Sequence, residues 1–400
     1  MLIEIIFALL LGCTAGTFTG LIPGVHVNLI SLLLISLPIT FISPVLSLVF
    51  IVAMTITHTF LDFIPSIFFG SPDEDTGLSV LPGHKLLLKG KGYEAIIYTL
   101  YGSCIALIII LISTPFFIFF LPKIYPFLFH SMFLILITAS GYLIYKEKNS
   151  KLWAFIIFCL AGFLGISSLN LNINQPLLPL LTGLFGGSSL ITSIIKKQKI
   201  PKQKIKNLNQ IKITKKEIVN SSIASILSAP LCAFLPSLGA SQAAVIGSDI
   251  TQEKNKKQFL ILLGSINTIV AGLSFITLYS IGKTRTGTSI AINEIIKNLS
   301  LTHLKIILIT ILISGIISFF LTIYISKLIA KNINKFNYKY LSIIILSILT
   351  TFSLIFSGFL GLIVFIVSCS LGLTTILIGI RRTHLMGCLM IPTILFYLPF

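Results

Sequence analysis

Apolar runs long enough to cross a bilayer follow one another along almost the whole of this chain, and that property settles its class. A run of about 20 apolar residues matches the hydrocarbon thickness of a membrane. With 55% hydrophobic and 10% charged residues over 400 positions, nearly every window of that length qualifies. The runs are continuous and rich in Ile, Leu and Phe, which argues against the short alternating segments of a β-barrel. The expectation is an all-α polytopic membrane protein with roughly 10–14 membrane segments, some of them re-entrant. The opening MLIEIIFALL has no basic stretch and no small-residue cleavage site before the next apolar run, so the first helix is expected to remain.

The formal charge of +18 would suit nucleic acid if the basic residues formed a domain. They sit instead in short loops between apolar runs, the pattern of cytoplasmic loops facing anionic lipid. No nucleic-acid partner is expected. Cys13, Cys104, Cys159, Cys232, Cys369 and Cys388 all lie in apolar segments without a CxxC pair, so they read as packing residues and no metal site is expected. No cofactor is expected either.

Three divisions follow: a first transmembrane unit over 1–195, a hydrophilic connection over 196–217, and a second transmembrane unit over 218–400. The connection carries nine lysines and no acid between Lys196 and Lys216, which predicts a flexible cytoplasmic linker. In the first unit, spans are expected at Ala95–Leu121, Ile124–Tyr145, Leu152–Leu169 and Leu177–Ile195.

The two units repeat one another. Helix breaks at Pro23-Gly24 and at Pro236-Ser237-Leu238-Gly239 align at a shift of 213, and Thr76-Gly77 aligns with Thr286-Gly287 at a shift of 210. The second alignment sets Asp73 and Asp75 opposite Lys283 and Arg285. Ala161-Gly-Phe-Leu-Gly165 is echoed by Ser357-Gly-Phe-Leu-Gly361. Duplicated halves with interrupted hydrophobic helices mark secondary transporters whose site lies at the repeat interface. An odd number of crossings per half would invert the repeats and place both termini outside.

A helix that stops inside the membrane leaves backbone groups tolerable only where they meet a cavity or a ligand. The expected substrate-binding residues are therefore Pro23, Gly24 and Asn28 at the first break, Pro236, Ser237, Gly239 and Ser241 at the second, and the basic Lys283 and Arg285, which suit an anion. Asp62 is the acid well inside an apolar segment, where insertion costs about 2.5–3.5 kcal/mol, and His58 lies one turn earlier on the same face. These two are expected to form an ion-coupling or proton site, or Asp62 is a neutral or salt-bridged residue near the membrane interface; both readings stay open. Asp73, Glu74 and Asp75 follow the break at Gly70-Ser71-Pro72 and are expected to hold a coupling cation, to gate through ion pairs with Lys283 and Arg285, or to form a solvated turn; these readings stay open. His84, His130, His303 and His384 are expected at interfaces, and Arg381-Arg382 as a snorkelling anchor.

Several of these stretches resemble a known family. Gly20-Leu-Ile-Pro-Gly24, then Pro65-Ser-Ile-Phe-Phe-Gly-Ser-Pro-Asp-Glu-Asp-Thr76, then Leu81-Pro-Gly-His-Lys-Leu-Leu-Leu-Lys-Gly-Lys-Gly92 look like the large membrane subunit of tripartite tricarboxylate transporters. Leu235-Pro236-Ser237-Leu238-Gly239 fits the repeated proline break of that family. The acidic Ser-Pro-Asp-Glu-Asp turn resembles an archaeal-type branch. The resemblance implies a permease for organic carboxylates coupled to Na+ or H+, working with a small membrane subunit and an extracytoplasmic solute-binding protein. The sequence also allows a homodimer.

Two alternatives carry weight. One is a translocase for a lipid-linked phosphate, which would want a basic interior. The other is an intramembrane enzyme on a lipid phosphate with Asp73 and Asp75 on Mg2+, which normally needs a second acidic cluster. The second half supplies Lys283 and Arg285 instead, so an enzyme is not expected.

Overall fold

A computed structural model of the protein describes residues 2–22, 27–28, 30–31, 43–70, 80–147, 149–195, 200–234, 239–251, 255–335 and 338–398. Among the described residues the secondary structure is helical throughout, with no strand. The helices are α1 (Leu2–Leu21), α2 (Pro44–Leu61), α3 (Val80–Leu87), α4 (Gly92–Tyr145), α5 (Lys151–Asn170), α6 (Leu177–Leu181), α7 (Ser188–Ile195), α8 (Lys215–Phe234), α9 (Ala240–Ile250), α10 (Lys256–Ile281), α11 (Gly287–Ile295), α12 (Leu301–Asn332), α13 (Tyr338–Ile378) and α14 (Gly387–Tyr397). Eight helices among the described residues are long and apolar enough to cross a membrane. Further apolar pieces are half-length: α9 and α14 have 11 residues each. The protein is a multi-pass membrane protein.

Local chemistry explains where the helices change character. α2 runs into a π-helical turn over Pro65–Phe69; Pro65 has no N–H to offer the Leu61 carbonyl four residues back, so the α-helical ladder cannot continue. The expected spans at Ala95–Leu121 and Ile124–Tyr145 are joined in the single run α4, with Pro115, Pro122 and Pro126 inside it. Tyr142 donates to Asp249 at the end of α9 (3.3 Å) and Lys146 pairs with the same carboxylate (3.4 Å), so this run bends back beyond its prolines toward the end where it began. The Leu177–Ile195 segment is likewise interrupted, by a π-helical turn at Thr182–Gly187. The Ala161–Gly165 and Ser357–Gly361 echo has no common structure: Gly162 and Gly165 lie inside α5, whereas Gly358 is a kink in α13 with φ 69.

The core is built on two helices. α2 with its π-turn (Pro44–Phe69) and α10 (Lys256–Ile281) are both 26 residues long, and they have the highest buried fractions of the eight spans, 72% and 94%. They end alike, on Gly70 (φ 68, ψ 21) and Gly282 (φ 66, ψ 16), the left-handed cap that glycine adopts without strain. Their ranges match at a shift of 212 at both ends (44 to 256, 69 to 281). The preceding helices α1 and α8 are each 20 residues long and start 213 apart (2 to 215).

Packing is exchanged between the halves. α4 lies alongside α10 in one direction: Ser103 Oγ donates to the Gly264 carbonyl (3.2 Å) and Ser280 Oγ to that of Ile118 (3.5 Å). α12 lies alongside α2 in the same manner, through Ser318 Oγ to Thr57 Oγ1 (2.9 Å) and Thr322 Oγ1 to the Phe60 carbonyl (3.4 Å). The α4–α10 seam is close because Gly102 and Gly264 face backbone, Gly102 against Ile261 and Gly264 against Thr99, where a Cβ on either would overlap main-chain atoms. The Phe68 ring lies against Gly92, so α2 ends where α4 begins, while α10 starts there. α2 and α10 therefore run in opposite directions.

The described part of the lysine-rich connection, from residue 200 onward, is held against the protein and does not hang free as expected. Residues 203–206 lie along the turn between α3 and α4. Gln203, 5% exposed, accepts from Gly92 N (2.8 Å) and donates to the carbonyls of Leu87 (3.1 Å) and Pro201 (2.6 Å). Lys204 N donates to the Gly90 carbonyl (2.8 Å), and Lys206 pairs with the buried Glu94 carboxylate at 2.8 Å. Like charge did not keep this segment loose, because its backbone and its glutamine complete the hydrogen bonds of the α3–α4 turn.

Candidate ion and solute site

The crossing of α2 and α10 carries a compact polar cluster inside the most buried part of the protein. Asn267 Nδ2 donates to Asp62 Oδ2 at 2.7 Å, and the hydroxyls of Thr59 and Thr268 lie 3.2 Å apart. Thr59 and Asp62 share one face of α2 at i, i+3 spacing. Asp62, Asn267, Thr59 and Thr268 are 2%, 3%, 5% and 0% exposed. A carboxylate in such a place needs hydrogen bonds from its surroundings to offset lost hydration, and the Asn267 amide supplies one. At the shift of 212, Asp62 corresponds to Ser274 and Asn267 to Thr55, so only one of the two halves contributes an acid at these positions.

His58 is buried one turn before Asp62, and its Nδ1 meets Thr19 Oγ1 at 3.1 Å. This ties α1 to α2 directly beneath the polar crossing. Asn267, Thr268 and Thr59 were absent from the sequence-based site because neutral polar residues in apolar helices usually serve packing. The available signal was Asn267, an amide within a 26-residue apolar helix.

Of the residues expected to bind substrate, Pro23, Gly24, Pro236 and Ser237 lie outside the described residues, as do Asp73, Glu74 and Asp75. Asn28 is described and packs on Gly287: a Cβ at 287 would sit 2.8 Å from the Asn28 Cβ and 3.0 Å from its carbonyl oxygen. The segment after the first break therefore meets the N-terminus of α11, and only glycine permits that approach. This N-terminus is organised by Thr286 and Ser289, with Arg285 N and Thr286 N both donating to Ser289 Oγ (3.1 and 3.0 Å) and Ser289 N donating to Thr286 Oγ1 (3.2 Å). Arg285 is half-buried there, whereas Lys283 is exposed. Gly239 caps α9: its N–H donates to Gln242 Oε1 (2.6 Å), while its carbonyl accepts from the Cys232 thiol (3.0 Å). Ser241 and Gln242 are buried in the first turn of that helix. The structure sets Asn28 on Gly287, two residues from the half-buried Arg285, and leaves the Lys283 side chain exposed.

A second buried charge cluster corrects the reading of Arg382 as a snorkelling anchor, while Arg381 stays part-exposed. Arg382 is 4% exposed; its guanidinium donates to Ser189 Oγ (2.7 Å), to Ser188 Oγ (3.4 Å) and to the carbonyls of Leu184 (3.3 Å) and Phe185 in the π-turn. Such a turn leaves carbonyls unpaired, and the planar guanidinium reaches several at once. His384 Nε2 lies 3.0 Å from the buried Glu147 carboxylate, which also accepts from Arg381 N (3.2 Å). Burial pushes the His384 imidazole below its usual range, with Glu147 opposing that shift.

A family model matches residues 6–387, that of the tripartite tricarboxylate transporter TctA family. An uncharacterized protein of Methanocaldococcus jannaschii is 31% identical over 406 residues, covering 98% of each chain. No solved structure matches. With a family match across nearly its full length, the chain belongs to the tripartite tricarboxylate transporter TctA family.

Proposed function

We propose that the protein is an ion-coupled secondary permease for a di- or tricarboxylate, working by alternating access between two inverted repeats. The observation that carries this reading is the Asp62–Asn267 hydrogen bond between two helices of equal length and opposite direction, one from each half. Matched elements at a shift of 212–213 and the exchanged packing of α4 on α10 and α12 on α2 support a two-fold relation in the membrane plane. Such interfaces are where substrate and coupling ion meet.

The solute's carboxylates are read by Arg285 and the backbone N–H groups at the start of α11, with Asn28 packed on Gly287 and Gly239 and Ser241 at the start of α9. Arginine suits a carboxylate because its two N–H groups match the two oxygens. Asp62, with His58 beside it, carries the coupling ion; Asp73, Glu74 and Asp75 would gate. The lysine segment marks the cytoplasmic end, and α1, running parallel to α2, starts at the opposite end, in keeping with an outside N-terminus. The family's tripartite name supports the expectation of a small membrane subunit and a solute-binding protein.

Uptake of labelled di- and tricarboxylates into proteoliposomes, with and without a sodium or proton gradient, tests the reading. Gradient-dependent uptake of at least one, lost in Arg285→Gln, is expected. Indifference of all of them to both gradients would remove it.

A further inference from the structure

We propose that the α2–α10 crossing is a binding site for a monovalent alkali cation of sodium size, with Asp62 supplying the charge and Asn267, Thr59 and Thr268 supplying neutral oxygens. The proposal rests on the permease reading and deepens it by naming the coupling ion and its ligands. It starts from the two cross-helix bonds, Asn267 to Asp62 at 2.7 Å and Thr59 to Thr268 at 3.2 Å. Because Thr59 and Asp62 are one turn apart and Asn267 and Thr268 are adjacent, the two bonds bring four oxygen-bearing side chains to one crossing of the two helices. All four are at least nine-tenths buried.

The formal charge of these four side chains matches a monovalent ion. One carboxylate and three neutral side chains carry a single negative charge, which a monovalent cation neutralises. A divalent ion would leave a net positive charge in a low-dielectric interior, where an uncompensated charge is strongly penalised. Ligand chemistry agrees, since carboxylate, amide and hydroxyl oxygens suit hard cations rather than transition metals. A proton on Asp62 would need one acceptor and has no use for the further oxygens on both helices. Binding exchanges the Asn267-to-Asp62 and Thr59–Thr268 hydrogen bonds for cation contacts, with the Asn267 amide turning its oxygen inward. The ion then joins one helix of each half, and its arrival or loss changes what holds the halves together.

The test is the melting temperature of the purified full-length protein at fixed pH in sodium, potassium or choline chloride, followed by 22Na binding. Wild type is expected to gain stability in sodium in a saturable manner, and Asp62→Asn and Thr268→Val are expected to lose both the gain and the bound 22Na. Thr268→Ser, which keeps the hydroxyl, should retain them, as should Thr57→Val, whose threonine bonds Ser318 outside the cluster. Wild type that neither binds 22Na nor responds to sodium, or sodium binding that survives in both Asp62→Asn and Thr268→Val, would overturn the site. Proton-driven carboxylate uptake without sodium binding would remove this site and leave the permease reading standing. Sodium binding lost in Asp62→Asn, in a protein that moves no carboxylate, would keep the site and remove the permease.

Discussion

The Asn267 side-chain amide donates to the Asp62 carboxylate at 2.7 Å, joining the middle of one 26-residue helix to the break in its oppositely directed counterpart. Removing the donor leaves a buried carboxylate short of a hydrogen bond, which costs about 2–3 kcal/mol. Asn267→Leu is therefore expected to lower the melting temperature, and Asp62→Asn to restore much of the loss in the double variant. Thermal unfolding of the two single variants and the double variant reads the coupling directly.

The α4–α10 seam has no room for a side chain at Gly102, which faces the Ile261 backbone. Gly102→Val must part the helices or shift them, at a cost of about 1–3 kcal/mol or more. The same substitution at Gly141, which has open space around it, should be much milder. Melting temperatures of the two variants give the comparison.

Gln203 fastens the lysine segment to the α3–α4 turn through its hydrogen bonds to Gly92 and Leu87. Gln203→Ala is expected to free it, and trypsin should then cut at Lys202 and Lys204 several-fold faster than in wild type while the helices stay intact. Lys206→Ala, which removes the partner of Glu94, should act in the same direction. Timed digestion followed by mass spectrometry reads both.

The His384 pair carries a pH dependence. Burial lowers the folded imidazole pKa below its unfolded value near 6.5. The unfolded chain therefore binds the proton more readily, so this contribution is present above about pH 6.5 and is lost as pH falls through that value toward the folded pKa. Melting temperature followed from pH 8 to pH 5 should drop less steeply in His384→Gln than in wild type.

Orientation follows from the two ends of the bundle. Single cysteines at Leu2 and Lys204, placed in a background without the native thiols, are expected to react with an impermeant maleimide from opposite sides of the membrane. Labelling of both from one side would contradict the topology.

Much of this was legible in the residues, and what was missed has physical reasons. Continuous hydrophobicity announced the helices, because apolar runs of bilayer length must satisfy their backbone groups internally. Asp62 stood out because a charge in an apolar run is rare. Its partner Asn267 did not, since an amide among Ile and Leu resembles ordinary helix packing until the opposing helix is known. The docking of residues 203–206 through Gln203 was hidden by the charge of that segment, which predicts repulsion but says nothing of backbone groups needing partners across a turn. Arg382 likewise read as an interface anchor, because the carbonyls it satisfies come from a π-turn 197–198 residues earlier in the chain.

That the crossing of two opposed helices couples an ion to the movement of an anionic solute is tested most directly by concentrative uptake. Wild type and Asp62→Asn, reconstituted at equal density, would be given the same labelled di- or tricarboxylate under an imposed cation gradient. Accumulation above equilibrium is predicted for wild type, and at most equilibration for the variant. Accumulation by Asp62→Asn equal to that of wild type would contradict the coupling.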